Sequence, residues 1–168
     1  MSDLTLFGLV CALAGTVALA LAVARPRVSG RPILVDGSNV MHWRAGQPDM
    51  ETVRIVLAAL KARGFSPGVM FDANVGYKIG NHYLDDRHLA KLLRLPEAQV
   101  LVVPKGTPAD RFLLEAARDL GARIVTNDRF RDWADAHPEI REPGFLIRGG
   151  FAGDKLWLDA PEAQSAAA

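Results

Sequence analysis

The chain has 168 residues, of which 49% are hydrophobic and 23% charged, enough for one domain with a sizeable core. Its formal net charge of +1 excludes a broad electrostatic footprint for a polyanion, so any nucleic-acid site has to be a local patch. Cys11 is the single cysteine, which excludes a disulfide framework and a cysteine-based zinc site.

Residues 4–24 carry no charge and are rich in Leu, Ala and Val. At about 1.5 Å per residue the run reaches about 30 Å, enough to cross a hydrocarbon core. Asp3 precedes it, and Arg25, Arg27 and Arg31 follow. The positive-inside rule then predicts a single-pass transmembrane anchor over residues 1–25, with the C-terminal domain facing the cytoplasm. The rival is a cleaved signal peptide, because Ala22-Val23-Ala24 resembles a small-residue cleavage site. Against it, no Lys or Arg precedes the run. Residues 26–31 read as a linker, residues 32–160 as the folded domain and residues 161–168 as a frayed Ala-rich tail.

Ile33-Leu34-Val35 reads as a short buried strand, followed at once by Asp36-Gly37-Ser38-Asn39. Residues 40–48 look irregular. Asp49 is a plausible N-cap for a helix whose Val53, Val56, Leu57 and Leu60 recur at helical spacing up to Gly64. Pro67-Gly68 gives way to a second short strand, residues 69–71, ending at Asp72. Residues 73–81 look like a loop. Asp85 or Asp86 caps a helix through Leu89, Leu92 and Leu93, stopped by Pro96. Residues 100–103 make a third strand, and Lys105-Gly106-Thr107-Pro108 a tight basic loop. Phe112, Leu113, Ala116, Ala117 and Leu120 form a helix face closed by Gly121. Ile124-Val125 is a fourth strand, followed by Thr126-Asn127-Asp128 and a short helix over residues 129–136. Residues 146–151 and 155–158 read as a closing hairpin or as paired edge strands around Gly153-Asp154. Strands alternate with helices four times, which argues a three-layer α/β fold with a mainly parallel sheet.

In such sheets the ligand site lies outside the carboxyl ends of the strands. Asp36 ends the first strand, Asp110 opens the helix after the third, and Asp128 follows the fourth. Asp132 is expected one helical turn beyond Asp128, at i+4 on the same face. Singly, each has an ordinary reading: Asp36 or Asp128 as a cap, Asp110 as a first-turn acid favoured by the helix dipole, Asp132 as half of a surface ion pair. Jointly, four acids on one rim would repel unless a cation sat among them. An all-carboxylate set favours a hard ion, Mg²⁺ or Mn²⁺, and such sites cleave phosphodiesters by activating water and neutralising phosphate.

Asp36-Gly37-Ser38-Asn39, Asp110-Arg111-Phe112 and the run from Thr126 to Asp132 resemble the successive motifs of the NYN branch of PIN-like nucleases. The resemblance is to the Regnase-type ribonuclease domain found beside CCCH zinc fingers, and it covers about residues 32–159. It implies a Rossmann-like PIN-like fold, divalent-metal dependence and endonucleolytic cleavage of single-stranded or loop RNA that leaves a 5′-phosphate. It also implies site roles: Asp36 as the first metal-binding acid, Asn39 as its supporting amide, Asp110 as the central acid, Asp128 and Asp132 as the final pair. Two departures stand out. Ala109 replaces the first of two adjacent acids, and the loop before Asp110 is short, with Lys105 as its only base. No CCCH finger is present.

Arg44, Lys78, Lys105, Arg111 and Arg129 lie in or beside the rim loops and are candidates for gripping RNA phosphates, against the reading of solvated surface charge. His42 and Trp43 are candidates for base stacking, with Trp43 also readable as a core plug. Asp72 ends a strand as an outer-rim acid, and Asp85-Asp86 reads as capping. A second copy of the chain is a candidate partner. Two other functions stay open: a PIN-like binding module without turnover, for which Ala109 speaks, and a phosphatase-like hydrolase, against which Ser38 speaks by denying the first strand an Asp-x-Asp pair.

Overall fold

The structure is a computed structural model that describes residues 30–44 and 46–160. The expected anchor, residues 26–29 of the linker and the expected tail lie outside the described residues; Arg31, placed in the linker, instead starts the first strand. Among the described residues no helix is long and apolar enough to cross a membrane.

Five strands form one parallel sheet in the order β3-β2-β1-β4-β5. They are β1 (Arg31–Asp36), β2 (Phe65–Phe71), β3 (Val100–Val102), β4 (Arg123–Val125) and β5 (Leu146–Ile147). The helices are α1 (Gly37–Val40), α2 (Met50–Ala62), α3 (Val75–Gly80), α4 (Asp86–Leu93) and α5 (Ala109–Leu120). Alternation along β1 makes the three layers. Ile33 and Val35 pack with Val53, Val56 and Leu60 of α2 and Leu89 of α4, while Leu34 joins Met70, Ile124 and the apolar face of α5. The sheet is thus covered on both sides, as the continuous apolar strands require. From β1 the chain builds outward through β2 to β3, then returns to the other side of β1 for β4. The order reverses between β1 and β4, so Asp36 and the turn after Val125 flank the switch point where such folds place ligands.

Local chemistry explains most boundaries. Asp49 caps α2 by accepting from the Glu51 and Thr52 N–H groups, and Asp85 caps α4 through the His88 N–H. Gly37 is required by packing: a Cβ there would run into the Phe71 ring. Gly37→Ala is expected to lower stability by about 1–3 kcal/mol, read as a lower urea midpoint, because the well-packed ring has to move.

The structure differs from the sequence reading in further places. β2 starts at Phe65 and runs through Pro67-Gly68. Its pairing with β3 begins only at Val69, so Pro67 sits where β2 is still an edge, and a proline is tolerated there. Residues 73–81 contain the short helix α3 instead of a loop. Residues 146–151 divide: Leu146 and Ile147 extend the parallel sheet beside β4, and only β6 (Gly149–Ala152) pairs antiparallel with β7 (Lys155–Leu158). No α-helix covers residues 129–136; a 3-10 turn, Arg131–Trp133, follows Phe130, whose φ of 46° is left-handed. That conformation costs a non-glycine residue on the order of 1–2 kcal/mol. Burial of the Phe130 ring and the bond from its N–H to Asp128 Oδ1, 2.8 Å, hold it there.

Candidate active site

At the carboxyl end of the sheet an open cavity of about 170 Å³ is lined by Asp36, Ser38, Asn39, Asp72, Ala109, Asp110 and Asp128, with Met70, Phe71 and Leu113 at its base. Each acid comes from a different strand end or the helix after it, so the cavity is an outcome of the parallel topology. Asp36, Asp110 and Asp128 are brought together as expected. Asp72 joins them on the inner wall, not an outer rim, because β2 lies directly beside β1.

Asp36 serves two ends at once. Its Oδ1 accepts from the Asn39 N–H at 3.1 Å, which is the ordinary capping role, and its Oδ2 accepts from the Thr126 hydroxyl at 2.9 Å across the switch point. Burial pushes its carboxyl up from 3.8 to about 6. The two hydrogen bonds pull it back, and the charges of Asp110 and Asp72 add to the rise. Burial also raises Asp110, helped by Asp128, Asp72 and Asp132 and opposed by a hydrogen bond from the Trp133 side chain. The acids therefore feel one another. Lys78 is paired with Asp72, its Nζ 3.7 Å from Asp72 Oδ2.

Asp132 is a correction. The left-handed Phe130 breaks the expected helix, so Asp128 and Asp132 do not share a helical face, and Asp132 stays outside the cavity lining. Its charge still reaches Asp110. Asp128 is turned into the cavity by an Asx-type turn: its own N–H bonds Thr126 Oγ1 at 3.0 Å while its carboxylate holds the Phe130 N–H.

Asn39 lines the cavity, but its amide oxygen faces a different task. Oδ1 accepts from the Trp43 indole at 2.8 Å and from the Asn127 N–H at 2.9 Å. Asn127 in turn clasps Gly149 with its side chain, donating to the carbonyl at 2.8 Å and accepting from the N–H at 3.3 Å. Trp43 packs against Gly149, where a Cβ would collide with its ring. One side-chain oxygen thereby fastens α1, the turn after β4 and the β6–β7 hairpin together. Trp43 is the half-buried plug, while His42 is exposed.

The expected phosphate-gripping residues divide. Arg44 is tied to Asp154 at 3.2 Å and stacked over Phe151, so it braces the hairpin. Arg111 pairs with Glu115 one turn along α5, 2.7 Å away. Lys105 is exposed in the loop before α5. Arg129 is exposed beside a neighbouring groove that also holds Arg148 and Trp157. Neither Arg148 nor Trp157 nor the Asp110-bonding Trp133 was singled out by sequence; the alternation Leu156-Trp157-Leu158 on a hairpin strand was the signal available for one of them.

Among solved structures, nuclear proteinaceous RNase P 2 (PRORP2) from A. thaliana is similar over 96% of this chain and 37% of that chain, with a TM-score of 0.57 and 18% identity. A second structure of Arabidopsis thaliana nuclear protein-only RNase P 2 (PRORP2) aligns over 92% of this chain and 35% of its own, with a TM-score of 0.53 and 17% identity. At such identity the likeness is one of fold, and the chain spans little more than a third of those proteins' length. No curated protein matches the chain. The family described as Zc3h12a-like Ribonuclease NYN domain matches residues 29–165, which takes in every described strand and every acid of the cavity. On that match, covering most of its length, this chain belongs to the Zc3h12a-like Ribonuclease NYN domain family.

Proposed function

We propose that the chain is a metal-dependent endoribonuclease that cuts single-stranded or loop RNA. The observation that carries this reading is the convergence of Asp36, Asp72, Asp110 and Asp128 on one open cavity, with Lys78 paired to Asp72. The donor set consists of carboxylate oxygens, which suits Mg²⁺ or Mn²⁺. Among the described residues no three acidic, histidine or cysteine side chains are arranged to enclose an ion by themselves. That fits a cation held by one or two carboxylates and completed by water and substrate phosphate, the usual habit of Mg²⁺. Asp36, Asp110 and Asp128 are the acids from which those one or two carboxylates would come, Asp72 lines the same cavity, and Asp132 adds negative potential from outside. Such an ion, when bound, neutralises phosphate charge and lowers the pKa of water.

The chain's own residues do the rest. Thr126 and the Asn39 N–H fix the direction of the Asp36 carboxylate. Asp110 is reachable from solvent and its carboxyl is held above the usual carboxylate range, chiefly by burial, so where it does not hold the ion it is the carboxylate suited to accept the proton of the attacking water. In-line attack would leave a 5′-phosphate. We further propose that residues 4–24 tether this activity to a membrane with the domain on the cytoplasmic side, a reading supported by their uncharged apolar run and the arginines after it. Recovery of the full chain in a carbonate-washed membrane fraction is the result expected.

Ala109 in the cavity wall, where the resembling nucleases carry an acid, favours a second reading, an RNA-binding domain without turnover. Incubating the full chain with labelled single-stranded RNA in Mn²⁺, in Mg²⁺ and in EDTA separates the two. Internal cuts that EDTA suppresses support the enzyme; binding without cuts in either metal supports the second reading. A single-stranded DNA of the same sequence, run in parallel, shows whether the sugar matters.

A further inference from the structure

Next to the acid cavity lies a second groove of about 420 Å³, lined by Asn127, Arg129, Arg148, Gly149 and Trp157. We infer that this groove holds the segment of single-stranded RNA flanking the scissile phosphate, with a base stacked on Trp157 and phosphates gripped by Arg129 and Arg148. The inference rests on the nuclease reading and goes beyond it by assigning the strand its track.

Three observations carry it. The first is continuity: Asn127 lines the groove and Asp128 the acid cavity, so adjacent residues, with Cα atoms about 3.8 Å apart, join the two. The second is charge. The groove's lining contains two arginines and no acid, whereas the cavity beside it contains four acids. Arg44, Arg111 and Arg118 are engaged by carboxylates elsewhere, but among the described residues the guanidinium groups of Arg129 and Arg148 make no hydrogen bond or ion pair. A polyanion bound to the acid cavity through a cation gains from such a pair immediately beside it. The third is the tryptophan. Leu156 and Leu158 of β7 turn to the core, and Trp157 between them is 50% exposed. On the paired strand Gly150 faces it, and a Cβ there would meet three contiguous indole atoms at 3.1–3.3 Å. The absent side chain leaves room for the ring to lie against the strand with its other face open, as a stacking platform needs. The clasp of Asn127 on Gly149 keeps this platform in register with the acids.

The test uses the full chain and a labelled single-stranded RNA of about a dozen nucleotides. Anisotropy in EDTA gives affinity without cleavage, and cleavage is followed separately in Mn²⁺. Trp157→Ala is expected to weaken binding about tenfold, with Trp157→Phe restoring most of it, since a base stacks on either ring. Arg148→Ala and Arg129→Ala are each expected to flatten the slope of log affinity against log salt by about 0.7. Should Trp157→Ala fail to fold, the two salt slopes decide alone. If parent protein binds and cuts the RNA while the alanine variants match it in affinity and slope, the groove assignment is overturned and the nuclease reading stands. If the parent neither binds nor cuts, both fall together.

Discussion

Asp36→Asn is expected to abolish RNA cleavage while making the metal-free protein more stable at pH 8. The loss of activity follows from removing the most buried of the cavity carboxylates, the one oriented by both Thr126 and Asn39. Changing even an outer partner of a metal ligand typically costs 10- to 100-fold, so a drop of at least about 100-fold is expected for this one. The gain in stability follows from linkage. In the unfolded chain this carboxyl ionises near 3.8, and in the folded protein burial holds it to about 6. Between those values the folded state keeps a proton that the unfolded state has released, so stability falls as pH rises through the window. Above pH 6 the whole penalty is present, on the order of 3 kcal/mol. Asparagine carries no charge to desolvate and still offers one oxygen to the same donors. Melting curves in EDTA should therefore nearly coincide at pH 4 and separate at pH 8 with the variant higher. Mn²⁺ should raise the parent's melting temperature more than the variant's. A variant that cuts RNA at the parent rate, or a stability difference that ignores pH, would contradict this assignment of Asp36.

How much of this was legible in the sequence depends on which physical signal each residue carries. The strands holding Ile33, Val69, Val100 and Ile124 were readable because a parallel sheet buried on both faces demands short continuous apolar runs. Their order alone puts Asp36, Asp110 and Asp128 on one rim, since parallel strands point their carboxyl ends the same way. Asp72 carried the same signal more weakly: a strand end is visible in sequence, but adjacency of β2 to β1 is not, and that adjacency puts it in the cavity. Phe130 shows a different limit. Nothing in the spacing of residues 128–136 reveals a left-handed aromatic, because its conformation is imposed by the burial of its ring and the Asp128 turn. The helix expected there, and with it the pairing of Asp128 with Asp132, failed for that reason. The hairpin was visible as β-prone sequence, yet the glycines that seat Trp43 and Trp157 gain their meaning only from residues more than a hundred positions away or on the opposite strand.

Asn39→Ala is expected to lower cleavage about 10- to 100-fold through loss of positioning, with a readout that differs from the loss of a metal ligand. The Oδ1 atom already accepts from the Trp43 indole and the Asn127 N–H, so its capacity is spent inside the protein. Truncation leaves both donors without their partner, which costs about 1–3 kcal/mol. It also releases the turn that carries Asp128 and the hairpin that Asn127 clasps. Three consequences should appear together: a lower melting temperature, faster amide exchange at Asn127, and a change in Trp43 emission. Asn39→Asp keeps an oxygen in reach of both donors, so it should recover most of the stability. A ligand role makes the opposite demand: Asn39→Ala would keep its melting temperature and its Asn127 protection, and the defect would be confined to the Mn²⁺ concentration needed for half-maximal rate. Amide exchange and metal titration on the same variant therefore decide which atom of this side chain matters, and to what.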